Sequence, residues 1–167
     1  MASATQTQSN RRAEALAQRL EAGAAALATL AGQLTDEQWK KPLPPDGRTV
    51  GVIIHHVASV YPLEIEGAKL LGLGQPLPIT WDAIHTMNHD HADKFANVTK
   101  EDAIALLKQN SAAAAEEVRA LTEEQLDAAG AVGLNADAPL TCQFFLEDHA
   151  VRHSYHHAAK IRKLLGK

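Results

Sequence analysis

Nine of the 167 residues are histidine, and they fall into three groups. His55 and His56 are adjacent, His85, His89 and His91 share one short stretch, and His149, His153, His156 and His157 crowd the C-terminal end. Imidazole titrates nearest to neutral pH and is the commonest side-chain ligand for transition metals. On a helix, His153 and His157 stand about 40° and one turn apart, so both can reach one ion, the logic by which an i, i+4 pair takes zinc. His149 and His153 share that spacing. His149 and His157 lie about 12 Å apart along the axis, so one ion takes the upper or the lower pair, and spacing leaves the choice open. Such pairs also occur on solvated helix faces. His56 is set among Ile53, Val57 and Val60 and is placed to bring a third imidazole inward from a neighbouring helix. His55, about 100° further round, is expected at the rim or in solvent.

Three neutral imidazoles suit Zn²⁺ or Ni²⁺ and tolerate Fe²⁺ or Mn²⁺. They leave one or more coordination positions open to water or substrate, as catalytic sites do. The chemistry expected is attack on an ester, amide or similar bond by a water of lowered pKa, or ionisation of a substrate thiol. No general base is named by the pattern. His149 and Tyr61 are weak candidates, Glu64 can also approach the interior, and His85, His89 and His91 could cap the site from the segment that carries them. Surface exposure is the simpler reading of His89 and His91. Cys142 reads as a small buried apolar residue and not a nucleophile. Trp39 and Trp81 read as packing residues.

Four long helices are needed to present these groups. The first runs from near Asn10 to Leu34, with Leu16, Leu20, Ala24, Leu27 and Leu30 forming one apolar stripe. Thr35 to Gln38 is a capping box for a short turn ending near Trp39, and three prolines with Gly47 break the chain beyond it. The second spans about Thr49 to Leu71 and should bend at Pro62. Thr80 caps a segment through Phe95, and Thr99 opens the third long helix, which runs to about Leu121. Thr122 caps a short turn, residues 129–140 read as a loop, and Thr141 caps the last long helix, to about Leu165. No convincing strand and no internal repeat are found. The expectation is an all-α, four-helix bundle with short extra helices in its connections, one domain over residues 9–167 and an unstructured stretch over residues 1–8.

Composition narrows the rest. Hydrophobic residues are 46% of the chain and charged residues 22%, which suits a globular domain with one core. The net charge of −4, with no basic stripe, argues against a nucleic-acid partner. One cysteine excludes a disulfide framework or cysteine-based zinc site within the chain. No apolar run reaches membrane-spanning length and the first residues lack a signal-peptide pattern, so a cytoplasmic protein is expected.

Three stretches resemble the DinB/YfiT-like metalloenzyme family, the DinB superfamily. Thr49–Ala58, with the run Val-Ile-Ile-His-His-Val-Ala, is similar to the family's second-helix pattern, which ends in a ligand histidine followed by an apolar and a small residue. Ala120–Asp127 is similar to its third-helix ending, and His149–Ile161 to its last-helix signature. In that signature an Ile or Leu stands four residues beyond the second ligand histidine. Ile161 fits this if the ligand is His157, with His153 as its partner. The resemblance spans roughly residues 10–165. It implies an up-and-down-type bundle, a metal near one end held by His56, His153 and His157, a small-molecule substrate with a low-molecular-weight thiol in some relatives, and a homodimer. The reactions it implies are those of a hydrolase or a thiol-dependent transferase. The alternative is a non-catalytic stress-response or binding protein with a structural metal. One departure stands out: Lys160 occupies a position where the family commonly carries Gln. A cation beside a divalent ion is costly unless an anion lies between them. Lys160 is therefore a weak candidate for an anionic substrate group, against the simpler reading that it reaches solvent near the helix end.

Overall fold

The computed structural model describes the backbone of residues 3–166 and the side chains of residues 11–166. Four long helical runs build the bundle: α1 (Ser3–Gly32), α3 (Val50–Gly72), α5 (Lys100–Arg119) and a C-terminal run of α7 (Cys142–Leu146), a π turn (Glu147–Val151) and α8 (Arg152–Leu165). Shorter helices α2 (Asp36–Trp39), α4 (Trp81–Lys94) and α6 (Glu123–Asp127) sit in the connections. Thr35, Thr49, Thr80, Thr99, Thr122 and Thr141 each precede a helix, and each hydroxyl accepts a backbone N–H of the first turn. These otherwise orphaned donors are why the six starts are readable in the sequence. α1 is described from Ser3, earlier than its apolar stripe indicates. Its polar first residues carry no periodic signal, and of the stretch expected to be unstructured Met1 and Ala2 lie outside the described residues.

The apolar faces meet in one core, with Leu16, Leu20, Leu27, Ile53, Ile54, Leu71, Leu107, Leu146 and Ile161 essentially sealed from solvent. Each such side chain contributes about 1.5–3 kcal/mol of burial. α1 packs on α5 and α8, and α3 packs on α5 and α7–α8. The first and second long helices are therefore diagonal partners, which corrects the up-and-down neighbour order. The connection through α2 is long enough to cross the bundle end, and the crossing makes α3 and α8 neighbours, so His56 can face His153 and His157.

Pro62 stands inside α3 without ending it. Proline lacks the N–H that would bond the carbonyl four residues earlier, at Ala58. Asn110 of α5 supplies that donor, Nδ2 to the Ala58 oxygen at 2.9 Å. The repair pins α3 to α5 between His56 and Glu64.

Two further expectations are corrected. Residues 129–140 form a two-stranded antiparallel hairpin instead of an unstructured loop, with β1 (Ala129–Val132) paired to β2 (Ala138–Thr141). Leu77 extends it, donating to the Ala131 carbonyl at 2.8 Å and accepting from Gly133 at 3.0 Å. A Cβ on Gly130 would fall 2.1 Å from the Gln75 carbonyl oxygen, so glycine is required for this close approach. Such short strands, holding glycine and proline, show no alternation to read. Trp81 is not a packing residue: it is 57% exposed, with Nε1 donating to the Leu134 carbonyl at 3.2 Å. Trp39 is buried as expected, and its Nε1 donates to the Val98 carbonyl at 3.1 Å.

Candidate metal centre

His56 of α3 and His153 and His157 of α8 converge. One ring nitrogen from each can be chosen so that all three lie within 4.8 Å of one another. Ring centroids are 5.2 Å apart for His56–His153, 6.0 Å for His56–His157 and 4.9 Å for His153–His157. Two helices deliver them. One turn of α8 sets the His153–His157 pair, and the buried α3–α8 seam sets His56 against it. Among the described residues no further histidine, cysteine or carboxylate joins the group.

Burial keeps two of these rings in a form that can bind a metal. His56 and His157 are both buried, and desolvation above all, then the charge of His153, lowers each to about 2. Both are neutral at physiological pH, the form that donates a lone pair. His157 Nδ1 is buried with no hydrogen-bond partner among the described residues, the condition of a ligand atom and a costly one for a plain core histidine. The donor set and the unpartnered nitrogen therefore fit a divalent ion.

His153 is oriented by Glu64, whose Oε1 lies 2.6 Å from Nδ1. A carboxylate oxygen accepts, so Nδ1 carries the proton and Nε2 is the nitrogen left to serve as a ligand. This carboxylate–histidine pairing is the outer-shell arrangement that fixes tautomer and ring angle at metal sites. Glu64 is buried and its Oε2 has no partner among the described residues. The sequence offers two acids, Glu64 and Glu66, in α3, and nothing in it pairs Glu64 with His153.

The other histidines divide. His149 is out of the trio. It lies in the π turn, which adds a residue to the helical repeat and removes the simple i, i+4 relation to His153. Its ring stacks on Phe145 at 4.3 Å. The lower pair is thus the one that meets His56. His55 does not reach the rim or solvent as expected: α4 covers it. Its Nδ1 is 2.9 Å from His91 Nε2, its ring is 4.0 Å from Phe95, and it is only 6% exposed. His91, read as a surface residue, instead stands beside His56 at 5.6 Å between ring centroids. Burial and then His55 lower it to about 4. His85 and His89 are exposed, and His89 pairs with Asp93 at 3.5 Å.

Tyr61 is sealed in the core and its hydroxyl is 2.7 Å from Ser154 Oγ. Burial raises its pKa, so it is not poised as a base. Lys160 is exposed and reaches solvent. Cys142 is fully buried and burial pushes its thiol up to about 11.

One further charged residue has a role that its sequence context gives no sign of. Arg48 precedes the Thr49 cap of α3, and its charge helps to lower His56, His157 and His91. Its guanidinium grips Asp46 side-on, Nε to Oδ1 and Nη2 to Oδ2, each at 2.6 Å. An Asp-Gly-Arg turn between prolines and a helix cap gives no signal of this side-on pairing.

No helix among the described residues is long and apolar enough to cross a membrane. No curated protein matches the sequence. Among solved structures, YfiT from Bacillus subtilis, described as a probable metal-dependent hydrolase with an unusual four-helix bundle topology, is similar in fold. It superposes with a TM-score of 0.72 at 22% identity, over 92% of this chain and 87% of that one. The profile of the DinB superfamily matches residues 19–161, the span that carries both helices of the histidine trio, and the chain belongs to that superfamily.

Proposed function

We propose that this protein is a metal-dependent hydrolase acting on a small molecule, with one divalent ion held by His56, His153 and His157. The observation that carries this reading is a group of three histidines, two of them buried and held neutral, with no fourth ligand among the described residues. Three protein ligands and an open position are the pattern of catalytic centres, whereas structural sites close with four. Bound there, a divalent ion supplies Lewis acidity to a water or a carbonyl oxygen at the open position. Glu64 fixes the tautomer of His153, and burial keeps protons off His56 and His157. His91, neutral at physiological pH and edge-on to His56, stands where it can accept a proton from a reacting group. The description of YfiT as a probable metal-dependent hydrolase supports the same reading. Zn²⁺ or Ni²⁺ suits the three imidazoles best. The same open position would serve a thiol-dependent transferase, but Cys142 is sealed with a raised pKa, so the thiol would come from a small molecule.

Metal analysis tests the proposal. The protein is expected to take up one Zn²⁺ or Co²⁺ per chain, and His153→Ala to lose stoichiometric uptake. In the Co²⁺-loaded protein, added azide should shift the visible absorption band by entering the open position. Unchanged uptake in His153→Ala would remove the ligand assignment. A band indifferent to azide would make the metal a structural one.

A further inference from the structure

We propose that Tyr61 and Ser154, a hydroxyl pair sealed between α3 and α8, are positioning residues that set the stagger of the two helices and so the spacing of His56 from His153 and His157. The inference rests on the proposed metal site and adds what holds its geometry. The two oxygens are 2.7 Å apart, so one hydroxyl donates and the other accepts. Both residues are fully buried. Ser154 directly follows His153 and precedes His157 by less than one turn of α8. Tyr61 lies between His56 and Glu64 in α3, about 7.5 Å along the axis from His56. Among the described residues, side-chain hydrogen bonds join α3 to α8 at Tyr61–Ser154 and at Glu64–His153. Each falls at or beside a histidine of the trio.

Stability alone does not account for the pair. A hydrogen bond between two neutral hydroxyls adds little net stability, because each gives up water to make it. Phe and Ala, of nearly the same shapes, would keep the helices apolar there, as they are at Val57, Ala58, Ala158 and Ile161. Direction is what the hydroxyls add. Apolar burial is non-directional and tolerates sliding. A hydrogen bond holds only within a narrow range of distance and angle. A buried polar residue fixes register in coiled coils for this reason. A metal centre fed from two helices needs such control, since its ligand distances are set to within about 0.2 Å. His56 comes from one side of the seam, and His153 and His157 from the other. Glu64 reaches His153 through a longer, more flexible side chain. Tyr61 carries its hydroxyl on a rigid ring and Ser154 on a single carbon, so their bond constrains the two backbones more closely.

The test uses the full chain and Co²⁺ alone, with affinity from chelator competition, the visible band of the bound ion, and the urea midpoint of the metal-free protein. Tyr61→Phe and Ser154→Ala each leave one sealed hydroxyl without its partner, and each should lower the urea midpoint. The double variant removes both hydroxyls, and its midpoint should return toward wild type. Co²⁺ affinity is expected to part from stability: it falls by about tenfold or more in each single variant, as for other residues behind the ligands, and stays low in the double. The visible band of the double should differ from wild type in position or intensity. Tyr155→Phe removes another tyrosine hydroxyl from α8, one that donates to the Arg19 carbonyl of α1 at 3.3 Å, and should leave affinity and band unchanged. Wild-type affinity and band in the double variant would make the pair a matter of stability and overturn its positioning role, leaving the metal site standing. A double no more stable than the singles, or an equal loss of affinity in Tyr155→Phe, would also overturn it. Absence of Co²⁺ uptake by the wild-type chain would overturn both the pair's role and the metal site.

Discussion

Replacing Glu64 with glutamine isolates the orienting carboxylate from the three histidines of the proposed metal site. Glu64→Gln keeps the shape and retains an oxygen 2.6 Å from His153 Nδ1, but removes the negative charge from a buried position. Outer-shell substitutions of this kind cost about 10–100-fold in metal affinity, or about 1.4–2.7 kcal/mol. The loss can be read as heat stability. At metal equal to 100 times the wild-type Kd, binding stabilises the folded chain by about 2.7 kcal/mol, and a tenfold weaker site leaves about 1.4. For a chain of this size about 2–4 °C of Tm corresponds to 1 kcal/mol. The metal-induced rise should shrink from about 5–11 °C to about 3–6 °C, while the metal-free Tm moves by only a few degrees. Chelator competition gives the affinity directly. An affinity within twofold of wild type would refute the argument that Glu64 acts on the ion through His153. A large fall in the metal-free Tm would instead make Glu64 a structural residue.

Two further outcomes are expected. In the metal-free protein His56 and His157 titrate far below their unfolded value of 6.5, so the unfolded chain takes up protons first. Stability is then complete above about pH 7.5 and falls with pH through 6.5, by about 1.4 kcal/mol per unit for each ring, or about 4 kcal/mol for both by pH 5. Urea midpoints across that range measure it, and a flat profile would mean that the rings are not held neutral. Gly51→Ala would place a Cβ 2.4 Å from Cε2 and Nε1 of Trp39, where α2 meets α3. Overpacking of this kind costs about 1–3 kcal/mol. Thermal unfolding and tryptophan emission report it, and unchanged values of both would show that Trp39 yields freely.

The bundle was legible because its signals are local. Five threonine caps and the apolar stripe of α1 mark helices through bonds and spacings within a few residues, and the helices read from them are present; Thr49, read only as the start of α3, is a sixth cap. What sequence could not show is pairing over distance. The β1–β2 hairpin is held as much by Leu77 as by its own strands. The diagonal placement of α1 and α3 depends on the path of a connection, which residue periodicity does not encode. The burial of His55 depends on α4, whose own residues are exposed or half-exposed and carry no strong apolar face.

The same division runs through the candidate site. The pair His153–His157 could be read from helical spacing, and His56 from its apolar surroundings, because each inference stays within one helix. The choice between His149 and His157 needed the π turn, a departure from the 3.6-residue repeat that spacing arguments assume. Glu64 and Arg48 belong to a further class. Each is a charged side chain whose meaning depends on its partner: Glu64 lies beside His153 of α8, and Arg48 is held by Asp46. Sequence alone lets Glu64 approach the interior without naming His153, gives Arg48 no role, and reads Lys160 as reaching solvent, which is correct. Burial separates the cases. A polar group kept out of water must be answered, and the unanswered Oε2 of Glu64 and Nδ1 of His157 are the atoms of the proposed site left for an occupant to answer.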